Sequence, residues 1–171
     1  MELTIRKGTF ADTEALISLI QEVWQHMEKK EWLYLDDPED VREMMNSGTM
    51  QLWVAMDGDR LAAAFDILIP GLHPFNYGYD LDFDETALLQ VVNIDTVAVH
   101  PDYRGKGLQQ KLMEEAENWA FDNGYPILLC TVHPENRYSL QNMLKLGYTV
   151  QKELPKYGST RYILRKNRPK K

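Results

Sequence analysis

The sequence predicts an α/β fold in a single domain over residues 1–171. A chain of 171 residues matches the ~100–200 residues of one domain. Its 44% hydrophobic and 26% charged residues are typical of a globular protein with a buried core. The apolar residues recur with strand periodicity in some segments and helical periodicity in others, and the two kinds of segment are interleaved along the chain, which is typical of α/β proteins.

The first half of the chain contains three strands and two helices. A short strand is predicted at 3–6, and a helix follows it to Met27 from a capping-box pattern, Thr9-x-x-Asp12. The next helix begins at Asp37, with Pro38 at its first position, and ends at Gly48. A hairpin comes next, with strands at 50–56 and 61–69 around Asp-Gly-Asp.

The second half begins with a segment, 70–87, that combines aromatic and acidic residues and follows no single periodicity. A long apolar strand is predicted at 88–99 and a loop at 100–107. The remaining predicted elements are a helix over 107–123, a strand over 127–132, a helix over 136–146 and two strands over 148–153 and 160–164. In total, seven strands and four helices are predicted over the two halves of the chain.

The charge distribution limits the function classes. The net charge is −7, and because 152–171 holds eight basic residues and one acid, the rest of the chain has 11 basic and 25 acidic residues, a balance of −14. Such an acidic body disfavours nucleic-acid binding and fits a cationic partner or a role in solubility. No apolar run is long enough for a membrane helix, no signal peptide is visible, and Cys130 is the single cysteine. We therefore expect a cytoplasmic protein with no disulfide, no cysteine metal site and no metal.

The loop before the third long helix has the composition of an anion site. Gly105 and Gly107 allow the backbone to approach a phosphate, Arg104 and Lys106 add positive charge, and the following helix start offers unpaired N–H groups. A dinucleotide fingerprint would need Gly or Ala where Gln110 stands. A Walker loop would need Ser or Thr directly after the lysine. Another pyrophosphate ligand is therefore indicated.

The segment Val97-Ala-Val-His-Pro-Asp-Tyr-Arg-Gly-Lys-Gly-Leu108 resembles the acetyl-CoA-binding segment of the GNAT N-acetyltransferase superfamily, whose motif is Arg/Gln-x-x-Gly-x-Gly/Ala. Arg104 and Gly107 match that motif, whereas Gln109 departs from it. The order of predicted elements is similar to the family over about 3–165. The resemblance implies the GNAT fold, a mixed and mostly antiparallel sheet of about seven strands flanked by about four helices. It also implies acetyl-CoA as co-substrate and an amine as acceptor.

The resemblance further implies a set of cofactor-binding residues. The backbone at the end of the long strand would pair with the pantetheine arm, and the amides of the loop and helix start would bind the pyrophosphate. An Asn-x-x-Ser…Gly-Tyr segment, similar to another family segment, would place Asn136 on the pantetheine arm, although Asn136 is equally suited to cap a helix. The implied cofactor-binding residues are Val97, Ala98, Val99, Arg104, Gly105, Lys106, Gly107, Leu108, Gln109, Gln110 and Asn136.

Two residues are candidates for the base that accepts the amine proton. Asp95 is an acid inside an apolar strand and shares a strand face with Val97, and the alternative is a carboxylate satisfied by backbone or by Arg. His133 follows the next strand, and its alternative is a loop-stabilising role. The Tyr that the family often uses as general acid is replaced by Met143, and Tyr157 is a candidate substitute or else an exposed turn residue.

These observations predict an acetyl-CoA-dependent N-acetyltransferase in which the amine attacks the thioester directly in a ternary complex. The alternatives are a non-catalytic acyl-CoA-binding module, which the Met143 departure keeps open, and an enzyme for another acyl-CoA. The aromatic and acidic segment 70–87 predicts a pocket for a cationic amine. The alternative for this segment is a homodimer interface or a cap on the core.

Overall fold

The structure, a computed structural model, describes residues 2–170 and contains seven strands and five α-helices. The strands are β1 Thr4–Lys7, β2 Met50–Asp57, β3 Arg60–Leu68, β4 Val91–Val99, β5 Ile127–Val132, β6 Thr149–Lys156 and β7 Ser159–Asn167. The helices are α1 Thr13–Gln25, α2 Pro38–Ser47, α3 Glu85–Leu88, α4 Leu108–Asp122 and α5 Arg137–Lys145.

The strands form one mixed sheet in the order β1-β2-β3-β4-β5-β7-β6. The pair β4–β5 is parallel, whereas β1–β2, β2–β3, β5–β7 and β6–β7 are antiparallel. The predicted α/β fold with a mixed, mostly antiparallel seven-stranded sheet is confirmed.

Chain contacts divide the molecule into two compact units, each built from two stretches of sequence. The first unit comprises the chain up to Leu68 together with Asp95–Trp119, and the second comprises Ile69–Ile94 together with the chain from Ala120 onward. The prediction of one domain over 1–171 stays a prediction.

Local signals fix the elements of the first unit. The side chain of Asp37 accepts a hydrogen bond from the N–H of Glu39 at 2.8 Å, and α2 ends at Gly48, as predicted. The Thr9–Asp12 capping box is present, and Asp12 also forms an ion pair with Arg6 at 2.9 Å. That guanidinium, as hydrogen-bond donor, lowers the pKa of the Asp12 carboxyl.

In the second unit, Tyr77, Val91, Ile127 and Leu129 form a buried apolar cluster. The predicted start of the long strand at 88 is wrong. The side chain of Asp84 accepts a hydrogen bond from the N–H of Ala87 at 2.9 Å and begins α3, whose last residue is Leu88. Apolar content alone does not separate a buried helical turn from a strand, and the cap decides the outcome here.

Candidate functional site

The C-terminal end of β4 has one buried face and one partly exposed face. Thr96 and Ala98 are buried, whereas Asp95, Val97 and Val99 are partly exposed, as strand alternation requires. The parallel ladder with β5 includes Val91, Val92 and Asn93 of β4. Val97, Ala98 and Val99 follow this stretch of the ladder along β4.

The loop after β4 is anchored to the β2–β3 hairpin. The hydroxyl of Tyr103 donates to Oδ2 of Asp57 at 2.6 Å, and the guanidinium of Arg60 donates to Oδ2 of Asp102 at 3.0 Å. The N–H of His100 donates to the carbonyl of Ala62 at 2.9 Å. Tyr103 is only 2% exposed, so the loop is held by a buried side chain on its inner side.

Two glycines lead from this loop into α4 with left-handed backbone. Gly105 has φ +79° and Gly107 has φ +72°, and a Cβ placed at either position would meet nothing within 4 Å. The N–H of Lys111 donates to the carbonyl of Gly107 at 3.2 Å and opens the hydrogen-bond ladder of α4. The amides of 108–110 precede that bond and lack intrahelical acceptors by helix geometry. Open space beside glycines and a helix start fits an anionic group.

The predicted phosphate-binding residues lie together at this helix start. Leu108 is buried and fixes the first turn, Gln109 is partly exposed, and the rest are at the surface, namely Arg104, Gly105, Lys106, Gly107 and Gln110. Because the donors on the backbone do not depend on side-chain identity, Gln109 at the position of a family Gly or Ala leaves them in place.

Three carboxyl groups approach one another in the first unit. Asp66 of β3 is 1% exposed, and its carboxyl interacts electrostatically with the carboxyl of Asp95 on β4. Burial, together with the charge of Asp95, raises the pKa of Asp66 well above its usual range, and burial also raises the pKa of Asp95. Burial and the charges of Asp95 and Asp40 raise the pKa of Asp36 to about 7.

A cavity adjoins these carboxyls. Its apolar walls come mainly from α1 and α2, and Asp36 and Asp66 supply acidic groups. The lining residues are Ile17, Ile20, Gln21, Tyr34, Leu35, Asp36, Pro38, Val41, Met50, Asp66 and Thr96. Its volume is about 20 Å³, and ~10–15 Å³ suffice for one water molecule, so it accepts a group the size of an ammonium.

In the second unit, both ring nitrogens of His133 are hydrogen-bonded. Nδ1 accepts from the N–H of Glu135 at 3.1 Å, and Nε2 lies 3.0 Å from Oγ of Ser159. Because Nδ1 is an acceptor, Nε2 carries the ring proton and donates a hydrogen bond to the hydroxyl of Ser159. His133 is 8% exposed. These bonds favour the loop-stabilising role over that of a base, and a catalytic role for His133 stays a prediction.

Asn136 caps α5, because its Oδ1 accepts from the N–H of Ser139 at 3.3 Å. A helix cap was one of its two predicted roles, and its role toward the pantetheine arm stays a prediction. Met143 lies on the buried side of α5 at 5% exposure. It packs in the core and has no proton to give a leaving group.

Two of the four acids in the 70–87 segment, Asp80 and Asp84, have partners within the second unit. Nζ of Lys156 contacts Oδ2 of Asp80 at 2.8 Å, Nζ of Lys152 donates to the Asp80 carbonyl at 3.1 Å, and Asp84 caps α3. The hydroxyl of Tyr157 lies 2.9 Å from that of Tyr77. These pairings favour a structural role for the segment, and its predicted role as an amine pocket stays a prediction.

Sequence reasoning identified Asp95 but missed Asp36 and Asp66. Asp66 offered the same signal as Asp95, since it is an acid in the apolar run Ala62-Ala-Ala-Phe-Asp-Ile-Leu68 of β3. Asp36 offered no such signal, because it directly precedes the Asp37-Pro38 helix start, where an acid has a ready structural explanation. Only the fold brings the three segments together.

Comparison with known proteins gives a consistent family. A sequence profile described as "Acetyltransferase (GNAT) family" matches residues 14–148. The L-amino acid N-acyltransferase MnaT of Escherichia coli (strain K12) is 34% identical over 64 residues. That match covers 37% of this chain and 37% of the relative's length.

Solved structures share the fold over nearly the whole chain. An acetyltransferase of the GNAT family from Streptococcus pneumoniae superposes with a TM-score of 0.73 at 18% identity, covering 97% of this chain and 99% of that one. Arabidopsis thaliana NAA60, solved in complex with acetyl-CoA, superposes with a TM-score of 0.76 at 15% identity, covering 97% and 98%.

Residues 2–170 contain neither a membrane-spanning helix nor a metal-binding cluster. No helix there is long and apolar enough to cross a membrane. No group of three or more His, Cys, Asp and Glu side chains there is arranged to hold a metal ion.

The raised pKa of Asp36 predicts how stability depends on pH. Between pH ~4, where Asp titrates in an unfolded chain, and the folded value of about 7, the folded state keeps a proton that the unfolded state has lost. The free energy of unfolding should therefore fall as the pH rises through this window, and Asp36→Asn should reduce the fall. The measurement is urea denaturation from pH 4 to 8. Asp59→Asn, in the exposed β2–β3 turn, is the matched control and should follow the parent. The same pH dependence of the unfolding free energy in Asp36→Asn and in the parent would contradict a raised pKa for Asp36.

Proposed function

Since this chain belongs to the acetyltransferase (GNAT) family, we propose that it is an N-acetyltransferase that moves the acetyl group of acetyl-CoA to an amine. The observation that carries the proposal is the β4–α4 connection. There, two left-handed glycines beside open space lead directly into a helix start, and the preceding strand end follows the stretch of β4 that pairs with β5. This arrangement fits both the pyrophosphate and the pantetheine arm of a CoA thioester.

The chain's own residues hold the co-substrate in this proposal. The amides of 105–110 bind the pyrophosphate, with Arg104 and Lys106 adding charge at the surface. The backbone of Val97, Ala98 and Val99 pairs with the pantetheine arm. Acetyl-CoA supplies an activated acetyl group as a thioester, and a backbone N–H of β4 polarises its carbonyl.

Asp95 is the proposed proton acceptor. A primary amine has a pKa near 10.4 and is mostly ammonium at neutral pH, so one proton must leave before nitrogen can attack. Because burial raises its pKa, Asp95 is a stronger base than an exposed carboxylate. The ammonium gives one proton to Asp95, and the nitrogen lone pair forms the amide C–N bond. The C–S bond then breaks, the CoA sulfur leaves as thiolate, and the second proton lost by the nitrogen goes to that thiolate.

The departing sulfur needs little help from the protein. A thiol with a pKa near 8.5 is a fair leaving group as its thiolate, so Met143 at the position of the family Tyr slows the reaction without stopping it. A general acid typically contributes ~10²–10⁴-fold, which sets the size of this loss. The same departure motivates a second candidate, an acyl-CoA-binding module without transfer activity.

The test of the proposed function is thiol release from acetyl-CoA with a panel of amines, amino acids and peptide N-termini. Amine-dependent release is expected, and Asp95→Asn should lower kcat by ~10²–10⁴-fold while acetyl-CoA binding persists. The parent's rate should rise with pH as Asp95 loses its proton, and the variant should lose this limb. Release that is absent for every amine, with acetyl-CoA still bound, would select the binding module. A variant with the parent's pH profile would exclude Asp95 as the base.

A branched side chain at the second glycine tests the cofactor site. Gly107→Val places atoms in the open space beside the helix start, so CoA affinity should fall at least about tenfold while unfolding remains cooperative. Gly58→Val, in the β2–β3 turn, is the matched control, because Gly58 also has a left-handed φ, +59°, and open space around its Cβ position. The control has similar backbone strain and should keep CoA affinity, as measured by titration calorimetry. Equal affinities in the two variants would place the phosphates elsewhere.

A further inference from the structure

We infer that the cavity between α1, α2 and β3 binds the ammonium group of the acceptor, and that the acceptor is a primary aliphatic amine without a carboxylate group. The inference rests on the proposed function and adds the substrate class. It concerns the cavity lined by Asp36 and Asp66, whose full set of lining residues is given above.

The first support is the charge of the cavity. Asp36 and Asp66 both line it, and Asp95 interacts electrostatically with Asp66. No Lys, Arg or His is among the lining residues. Carboxyls gathered without a cation in a low dielectric are costly to ionise, and a bound ammonium removes that cost by supplying the missing positive charge. Among the described residues, no acidic group has the arrangement of a metal site, so an organic cation is the favoured occupant.

The second support is a single buried atom. Oδ1 of Asp66 is inaccessible to solvent and makes no hydrogen bond to any other group in 2–170, although the side chain is only 1% exposed. A buried acceptor without a donor costs ~1–3 kcal/mol, so such atoms are rare and need an explanation. An ammonium carries three donors and can satisfy this oxygen.

The volume of the cavity limits what can enter it. At about 20 Å³ it takes the ammonium group and leaves the aliphatic body outside. The lining residues Ile17, Val41 and Met50 are apolar and at most 8% exposed, so the two lining aspartates are the charged partners of that group. Asp95 does not line the cavity itself, and its electrostatic interaction with Asp66 is what relates the ammonium site to the proposed base.

The absence of a lining cation also excludes one substrate class. The α-carboxylate of a free amino acid is attached to the carbon that bears the ammonium, so it would lie beside an acidic cavity that offers it no cation, and like charges repel. This chain should therefore differ from the relative in E. coli, which is named as an L-amino acid N-acyltransferase.

The experiment compares three acceptors with one apolar body, isoamylamine, leucine and leucinamide, in thiol release from acetyl-CoA. Isoamylamine should exceed leucine in kcat/KM by at least about tenfold, because only leucine carries the repelled carboxylate. Asp66→Asn and Asp36→Asn should raise the KM for isoamylamine at least about tenfold with the KM for acetyl-CoA unchanged. Asp59→Asn, which removes the same charge from the exposed β2–β3 turn, should change neither value. Asp36 is partly exposed, so its variant keeps the test decisive if Asp66→Asn fails to fold.

Leucinamide, which lacks the carboxylate, should also exceed leucine in kcat/KM. Two results would overturn the inference and leave the proposed function standing. These are a kcat/KM for leucine that equals or exceeds those of isoamylamine and leucinamide, and unchanged KM values in both cavity variants. Calorimetry of isoamylamine with the protein separates the two claims. Binding that Asp66→Asn or Asp36→Asn weakens, without thiol release, would support the cavity and reject the transferase. Thiol release with other amines, without isoamylamine binding, would support the transferase and reject the cavity as the ammonium site.

Discussion

An α-helix cannot satisfy its first N–H groups from within, and at the start of α4 this constraint coincides with two glycines in left-handed backbone. The loop there is held by the bond of Tyr103 to Asp57, so the donors stay in one place. With no Cβ at 105 or 107, the backbone is open to a large anion. The rest of the proposed site follows from this, because a CoA pyrophosphate bound here brings its pantetheine arm to the end of β4.

The chemistry places opposing demands on the carboxyl cluster. Negative charge attracts an ammonium but also stabilises its protonated form and makes the nitrogen harder to deprotonate. The raised pKa of Asp95 counteracts this, because a carboxyl that prefers to be protonated is a better acceptor for the amine's proton. Asp66 would then bind the ammonium, and Asp95 would receive its proton. Placing these roles on adjacent residues lets one buried cluster serve both binding and reaction.

Local signals were sufficient for much of the fold and for the cofactor loop. Asp37, Pro38 and Gly48 bound α2 as the sequence predicts, because caps act over a few residues. The glycine loop was equally readable, since its donors belong to the backbone of one short segment. The predicted start of the long strand at 88 was wrong because the capping hydrogen bond that Asp84 accepts favours a helical turn over a strand, although the segment is apolar.

The acceptor cavity was beyond sequence reasoning for a different reason. Its walls come from α1, the segment before α2, β2, β3 and β4, and only tertiary packing brings these together. Asp66 shows what a single sequence does reveal, namely an acid in an apolar strand. It does not reveal which residues an acid will meet. The amine pocket predicted in 70–87 stays a prediction, and in that segment Asp80 contacts Lys156 and Asp84 caps α3.

The most direct test of the central claim is hydrogen–deuterium exchange with and without saturating acetyl-CoA. Bound ligand should slow exchange at the amides of 105–110 and at the end of β4, because these N–H groups gain acceptors on the phosphates and the pantetheine arm. Peptides from the β2–β3 turn should exchange at the same rate in both samples. Saturable binding of acetyl-CoA that leaves exchange over 97–110 unchanged would contradict the account.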